Sequence, residues 1–141
     1  MALEGIGIGP SGGGGAGAAV GGYGLLASLI GANMNSTADQ PFGPRQFGFI
    51  VRRIVVTNAS ISLTTAAGGI YTGAAKGGTA IVAAIQTYAT LTSPTVSLDL
   101  TIAAAAVNTV LSASPSLFLS LTTAQGAAAT ADFYFYGERL A

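Results

Sequence analysis

The sequence predicts an all-β fold: an antiparallel β-sandwich of about eight short strands, preceded by an extended Gly-rich N-terminal arm. Three observations carry that reading. Apolar residues alternate with polar ones at period two in several segments, as in strands with one buried face. Turn residues punctuate these segments at roughly ten-residue spacing, which suits stacked antiparallel sheets and leaves no room for βαβ units. Finally, glycine is concentrated ahead of all of them.

Composition divides the chain into an arm over residues 1–44 and a sandwich over 45–141. From Gly5 to Gly24 glycine is too frequent to support a helix or an independent strand. Leu25 to Ile30 forms a short apolar patch, followed by polar turn material from Asn33 to Gln40 and the Pro41-Phe42-Gly43-Pro44 break. Such a stretch reads either as a flexible linker or as an arm that orders on a neighbouring subunit. Ile6, Ile8, Val20, Tyr23, Leu25, Leu26, Leu29 and Ile30 are more anchors than a solvated linker needs. A phosphate-binding loop does not fit here, because no buried strand precedes the glycines and no lysine lies among them.

Beyond Gln46 the alternation takes over. Val96, Leu98, Leu100 and Ile102 are separated by Ser97, Asp99 and Thr101, and Leu117, Leu119 and Leu121 by Phe118 and Ser120. Phe133 and Phe135 oppose Asp132, Tyr134 and Tyr136. Further strands are expected at Phe47 to Thr57, Ser60 to Thr64, Gly69 to Thr72, Thr79 to Ile85 and Val107 to Ser112. Ala103 to Ala106 and Ala127 to Ala129 favour helix by propensity but are too short to nucleate one, so they are read as connections. The motif S-L-T-T-A-x-G occurs at Ser62 to Gly68 and again at Ser120 to Gly126, as equivalent hairpin corners of two facing sheets would produce.

Charge sets the strongest functional limit. Five basic and five acidic side chains make up 7% of the residues, against about a quarter in an ordinary soluble domain. With 50% hydrophobic residues, the chain holds more apolar material than one small core consumes. The surplus is expected to face other protein, as a homo-oligomer or a larger assembly. Zero net charge gives no electrostatic footprint for nucleic acid. Ala16 to Ala32 is uncharged but glycine-rich and without basic anchors, so no membrane span is expected. Glu4 stands where a secretory leader needs positive charge, which points to assembly in a cytoplasm.

Histidine, cysteine and tryptophan are absent, which removes the usual proton shuttle, thiolate nucleophile and soft metal ligands. What remains for catalysis is Glu4, Asp39, Asp99, Asp132, Glu138, Lys76 and the hydroxyls. Asp99 and Asp132 are candidates for a paired-carboxylate site, but each is the polar member of an alternating strand, which a solvated sheet face explains. A Ser-Lys dyad through Lys76 has no supporting motif, because this residue lies in a glycine-flanked loop. The expectation is a protein with no enzymatic activity, cofactor or metal.

Arg52 and Arg53 interrupt an apolar strand, so strict alternation places at least one of them near a buried face. It would then need a carboxylate, either Asp99 or Asp132 internally or one from a second subunit. Tyr134 and Tyr136 add an aromatic surface suited to a protein partner or a sugar. The candidate interface is therefore Tyr23, Leu25, Leu26, Leu29, Ile30, Arg52, Arg53, Tyr134 and Tyr136.

The runs Ile54-Val55-Val56-Thr57-Asn58-Ala59-Ser60, Leu63-Thr64-Thr65-Ala66, Gly68-Gly69-Ile70-Tyr71-Thr72 and Lys76-Gly77-Gly78-Thr79, with the ending from Leu119 to Gly137, resemble small virion proteins of tailed bacteriophages. The resemblance covers residues 46–137 and excludes the Gly-rich N-terminus. It implies a jelly-roll-like sandwich, a trimer, and contact with a major capsid protein or other virion proteins. The role it implies is capsid decoration (cement) protein, with tail, collar or head-fibre base as alternatives. A carbohydrate-binding module contacting host glycans through its tyrosines is the competing class.

Overall fold

The computed structural model describes residues 22–43, 48–111 and 116–140, and no helix occurs among them. The expectations for the Gly-rich segment up to residue 21, for Pro44, for Phe47 and for Ser112 lie outside the described residues. Eight strands follow one another: β1 (Tyr23–Asn33), β2 (Gln40–Phe42), β3 (Phe49–Thr57), β4 (Ala67–Gly73), β5 (Gly77–Val82), β6 (Leu98–Asp99), β7 (Leu117–Thr123) and β8 (Thr130–Arg139). They form two four-stranded antiparallel sheets, in the orders β1-β8-β3-β6 and β2-β7-β4-β5. First pairs with last, second with seventh, third with sixth and fourth with fifth. This is the pattern of one long antiparallel hairpin rolled up on itself, an eight-stranded jelly roll.

The alternation seen in the sequence builds the core. Phe133 and Phe135 of β8, Ile54 and Val56 of β3, and Leu117, Leu119 and Leu121 of β7 all turn inward and are buried. Aromatic rings tie the two layers together. Phe42 of β2 meets Phe135 with ring centroids 5.2 Å apart, and Tyr88 meets Phe133 edge-on at 5.9 Å. The Tyr88 hydroxyl donates to the Gly68 carbonyl at 3.0 Å, so this buried phenol keeps a partner. Burial raises its pKa well above the ordinary tyrosine value.

Several expectations require correction. The sandwich does not begin at residue 45: β1 and β2 belong to it, and β1 alone runs for eleven residues beside β8. Glycine content had suggested an arm, but pairing with β8 and burial of Leu26, Ala27 and Ala32 hold this segment in the sheet. Pro41 is tolerated because β2 lies at the edge of its sheet, where one side needs no amide donor. At the end of β1 the Gln40 side-chain amide bonds both backbone groups of Asn33, at 2.7 and 2.8 Å.

Ser60 to Thr64 is a loop, held by Ser60 N–H to the Thr130 carbonyl and by Leu63 N–H to the Leu91 carbonyl, both 2.9 Å. Val107 to Leu111 is a turn followed by a single bridge, Leu111 to Phe49. The strand expected over Val96 to Ile102 is regular only at Leu98–Asp99, although its in-out alternation persists. The two S-L-T-T-A-x-G copies are not equivalent corners: one is loop running into the start of β4, the other the end of β7 and the turn after it. Gln125 joins them, its Oε1 accepting from Thr65 and Ala66 N–H at 3.0 and 3.1 Å.

Candidate interface on the outer face of one sheet

The site is built around β8, whose inward side is Phe133, Phe135 and Gly137 and whose outward side is Tyr134, Tyr136 and Glu138. Its two neighbours place specific residues beside each outward position. Ser28 and Val55 flank Tyr134, Leu25 and Arg53 flank Tyr136, and Tyr23 and Ile50 flank Glu138. Register alone therefore gathers Tyr23, Leu25, Arg53, Tyr134 and Tyr136 onto one continuous outer face. Tyr23 and Leu25 are 61% and 47% exposed, and Ile30, farther along the same edge strand, is 61% exposed.

Arg52 joins this face through an irregularity. Val51 pairs with Gly137 and Arg53 with Tyr136, so Arg52 is an extra residue, a β-bulge. The bulge shifts the phase of the strand: Phe49 and Val51 are buried before it, Ile54 and Val56 after it, and both arginines point to solvent. This corrects the expectation that the pair must split between two faces. Arg53 Nη2 lies 3.1 Å from Asp99 Oδ1, as one of the internal pairings anticipated, whereas Arg52 Nη2 lies 2.8 Å from Glu138 Oε1. Only the β3–β8 register, which sets Ile50 against Glu138 and leaves Arg52 as the bulged residue, brings this carboxylate within reach. Hydrogen bonding to Asp99, and then its charge, raises the Arg53 pKa further above an already high value. Exposed pairs of this kind contribute little to stability. Their effect here is to neutralise both cations within the face.

Leu26 and Leu29, counted in the candidate interface, belong to the core instead. Leu26 is the extra residue of a bulge opposite Tyr136 and Phe135 and is buried; Leu29 is half-buried and packs on the core. Asp132 likewise departs from expectation. It is 8% exposed and forms no salt bridge with an arginine among the described residues. Its carboxylate accepts from Gly31 N–H at 2.7 Å and from Asn58 Nδ2 at 3.0 Å. Gly31 lies in the second irregularity of β1 at φ 69°, which presents its amide to that carboxylate.

On the other sheet, Lys76 Nζ donates to the buried Ser120 Oγ at 3.0 Å, a serine-lysine contact that no motif announces. Asp39 accepts from Ala75 N–H at 2.7 Å. The arrangement pins the β4–β5 hairpin tip against β7.

The Ala75 amide foremost, then the Ser120 hydroxyl, holds the Asp39 carboxyl below its ordinary value. A depressed carboxylate pKa stabilises the fold above the unfolded-state value and loses that contribution as pH falls through the folded one. Protection of the Ala75 amide against hydrogen exchange is thus expected to fall below pH ~4. Asp39→Asn should remove that acid dependence, and an unchanged pH profile in the variant would refute the assignment.

Compared with protein-family models, with curated proteins and with solved structures, the chain matches none.

Proposed function

We propose that this chain is a non-enzymatic structural virion protein of a tailed bacteriophage, which binds and stabilises the capsid as a decoration protein. The observation that carries the reading is the outer face of the β1-β8-β3-β6 sheet. It presents tyrosine and leucine to solvent, and its arginines are already neutralised by the chain's own carboxylates. Such a surface is suited to being covered by protein. The jelly roll supports the reading by analogy, since viral capsid domains use it, though lectins and cupins share the architecture.

A decoration protein acts by binding the assembled shell and not its free parts, which shifts the assembly equilibrium toward the shell. Many weak copies then add through effective concentration, so no single contact need be strong. The test is to add purified protein to particles lacking it and measure the temperature at which they release DNA. Co-sedimentation with the shell and a higher release temperature are expected. Failure to bind the shell, or density confined to tail or fibre base in electron micrographs, would overturn the decoration role.

A further inference from the structure

We infer that the outer face of the β1-β8-β3-β6 sheet is a contact between two copies of this chain related by a two-fold axis. The inference rests on the structural role proposed above and names the partner that covers the face.

Charge selects the partner. Arg52 and Arg53 are committed to Glu138 and Asp99 within the face, which among the described residues therefore has balanced charge. A polyanion finds no unpaired cation among these four groups and a basic surface no unpaired acid. The complementary surface is neutral, aromatic and low in lysine, a description that fits the same face of a second copy.

Layout selects the symmetry. Across the sheet one row reads Leu25, Tyr136, Arg53, with Tyr23 beside Leu25 on β1. The face is thus apolar on its β1 side and carries the ion-paired guanidinium groups on its β3 side. A two-fold axis through Tyr136 turns the row end for end, so each Arg53 meets the partner's apolar flank and each Tyr23 ring meets a guanidinium. Stacking of arginine on tyrosine is favourable and strengthens when water is excluded. Every contact is made twice in an isologous interface of this kind.

Sedimentation equilibrium of the full chain tests the inference, comparing wild type with the Tyr23→Ser/Leu25→Ser double variant and with Ile85→Ser. Ile85 is 85% exposed on the loop after β5 and serves as the control. Wild type and control are expected at twice the chain mass, with the double variant at least about tenfold weaker in association. The chain has no cysteine, so Tyr136→Cys provides an independent readout: it should oxidise to a covalent dimer, whereas Ile85→Cys should not. A single-copy mass, a three-copy ring, a dimer indifferent to the double substitution, or a monomer that binds neutral glycans through these tyrosines would overturn it. A dimer that ignores the shell would sink the virion role alone, whereas a monomer that binds and stabilises the shell would sink only the two-fold contact.

Discussion

Phe135→Ala is expected to lower the unfolding free energy by about 4 kcal/mol. Phe135 is fully buried on β8, a strand paired on both sides in its sheet. Its backbone neighbours are Ala27 and Ile54, and its ring meets Phe42 of the opposing sheet. Truncation removes the aromatic bridge between the layers and leaves a void. The alanine beside it has no side chain long enough to fill that space, so collapse would require moving backbone held in two ladders. Urea denaturation should show a lower midpoint with an unchanged slope. A loss below about 1 kcal/mol would mean that the layers close over the gap, and that the Phe42 contact is not what joins them.

Gly137→Ala should cost about 3 kcal/mol through the opposite fault, overpacking. A Cβ at Gly137 would stand 2.0 Å from the Ile50 carbonyl oxygen and 3.0 Å from Leu26 Cδ1. The first of these atoms is backbone and cannot rotate away. Both neighbouring strands bulge beside this residue, at Leu26 and at Arg52, so the ladder is drawn close where a side chain would have to fit. The expected fall in melting temperature is roughly 10 °C. Because relief of the clash requires β3 to shift, the Arg52–Glu138 pair should loosen as well, visible as altered Arg52 side-chain resonances. A variant as stable as wild type would show that the close approach of β8 to β3 is not required.

Strands whose in-out pattern is local were readable from residues alone. The leucines of β7, the phenylalanines of β8 and the apolar set of β3 all stand at alternate positions. The bulge in β3 also left a trace: Phe49 and Val51 are in phase, Ile54 and Val56 are in the other phase, and the two arginines occupy the slip. β1 was hidden because irregularities at Leu26 and after Leu29 break its alternation twice, and its glycines matched the composition of a linker. β2 is three residues with a central proline, a pattern that signals a turn unless an edge position is known. Of the candidate interface, the tyrosines, the arginines, Leu25 and Ile30 proved to be exposed or outward, whereas Leu26 and Leu29 were claimed by the core.

Composition and the two-residue repeat of an extended backbone suffice to read the all-β class, most of the inward-facing set, and a surface unable to rely on charge. That β1 closes against β8, that Arg52 finds Glu138 and that Asp132 is buried beneath Gly31 and Asn58 emerges when the sheets assemble. Those outcomes depend on which distant strands pair and where a bulge reverses the phase. Pairing and phase are set by closure of the whole sandwich and leave little mark on any local stretch of chain.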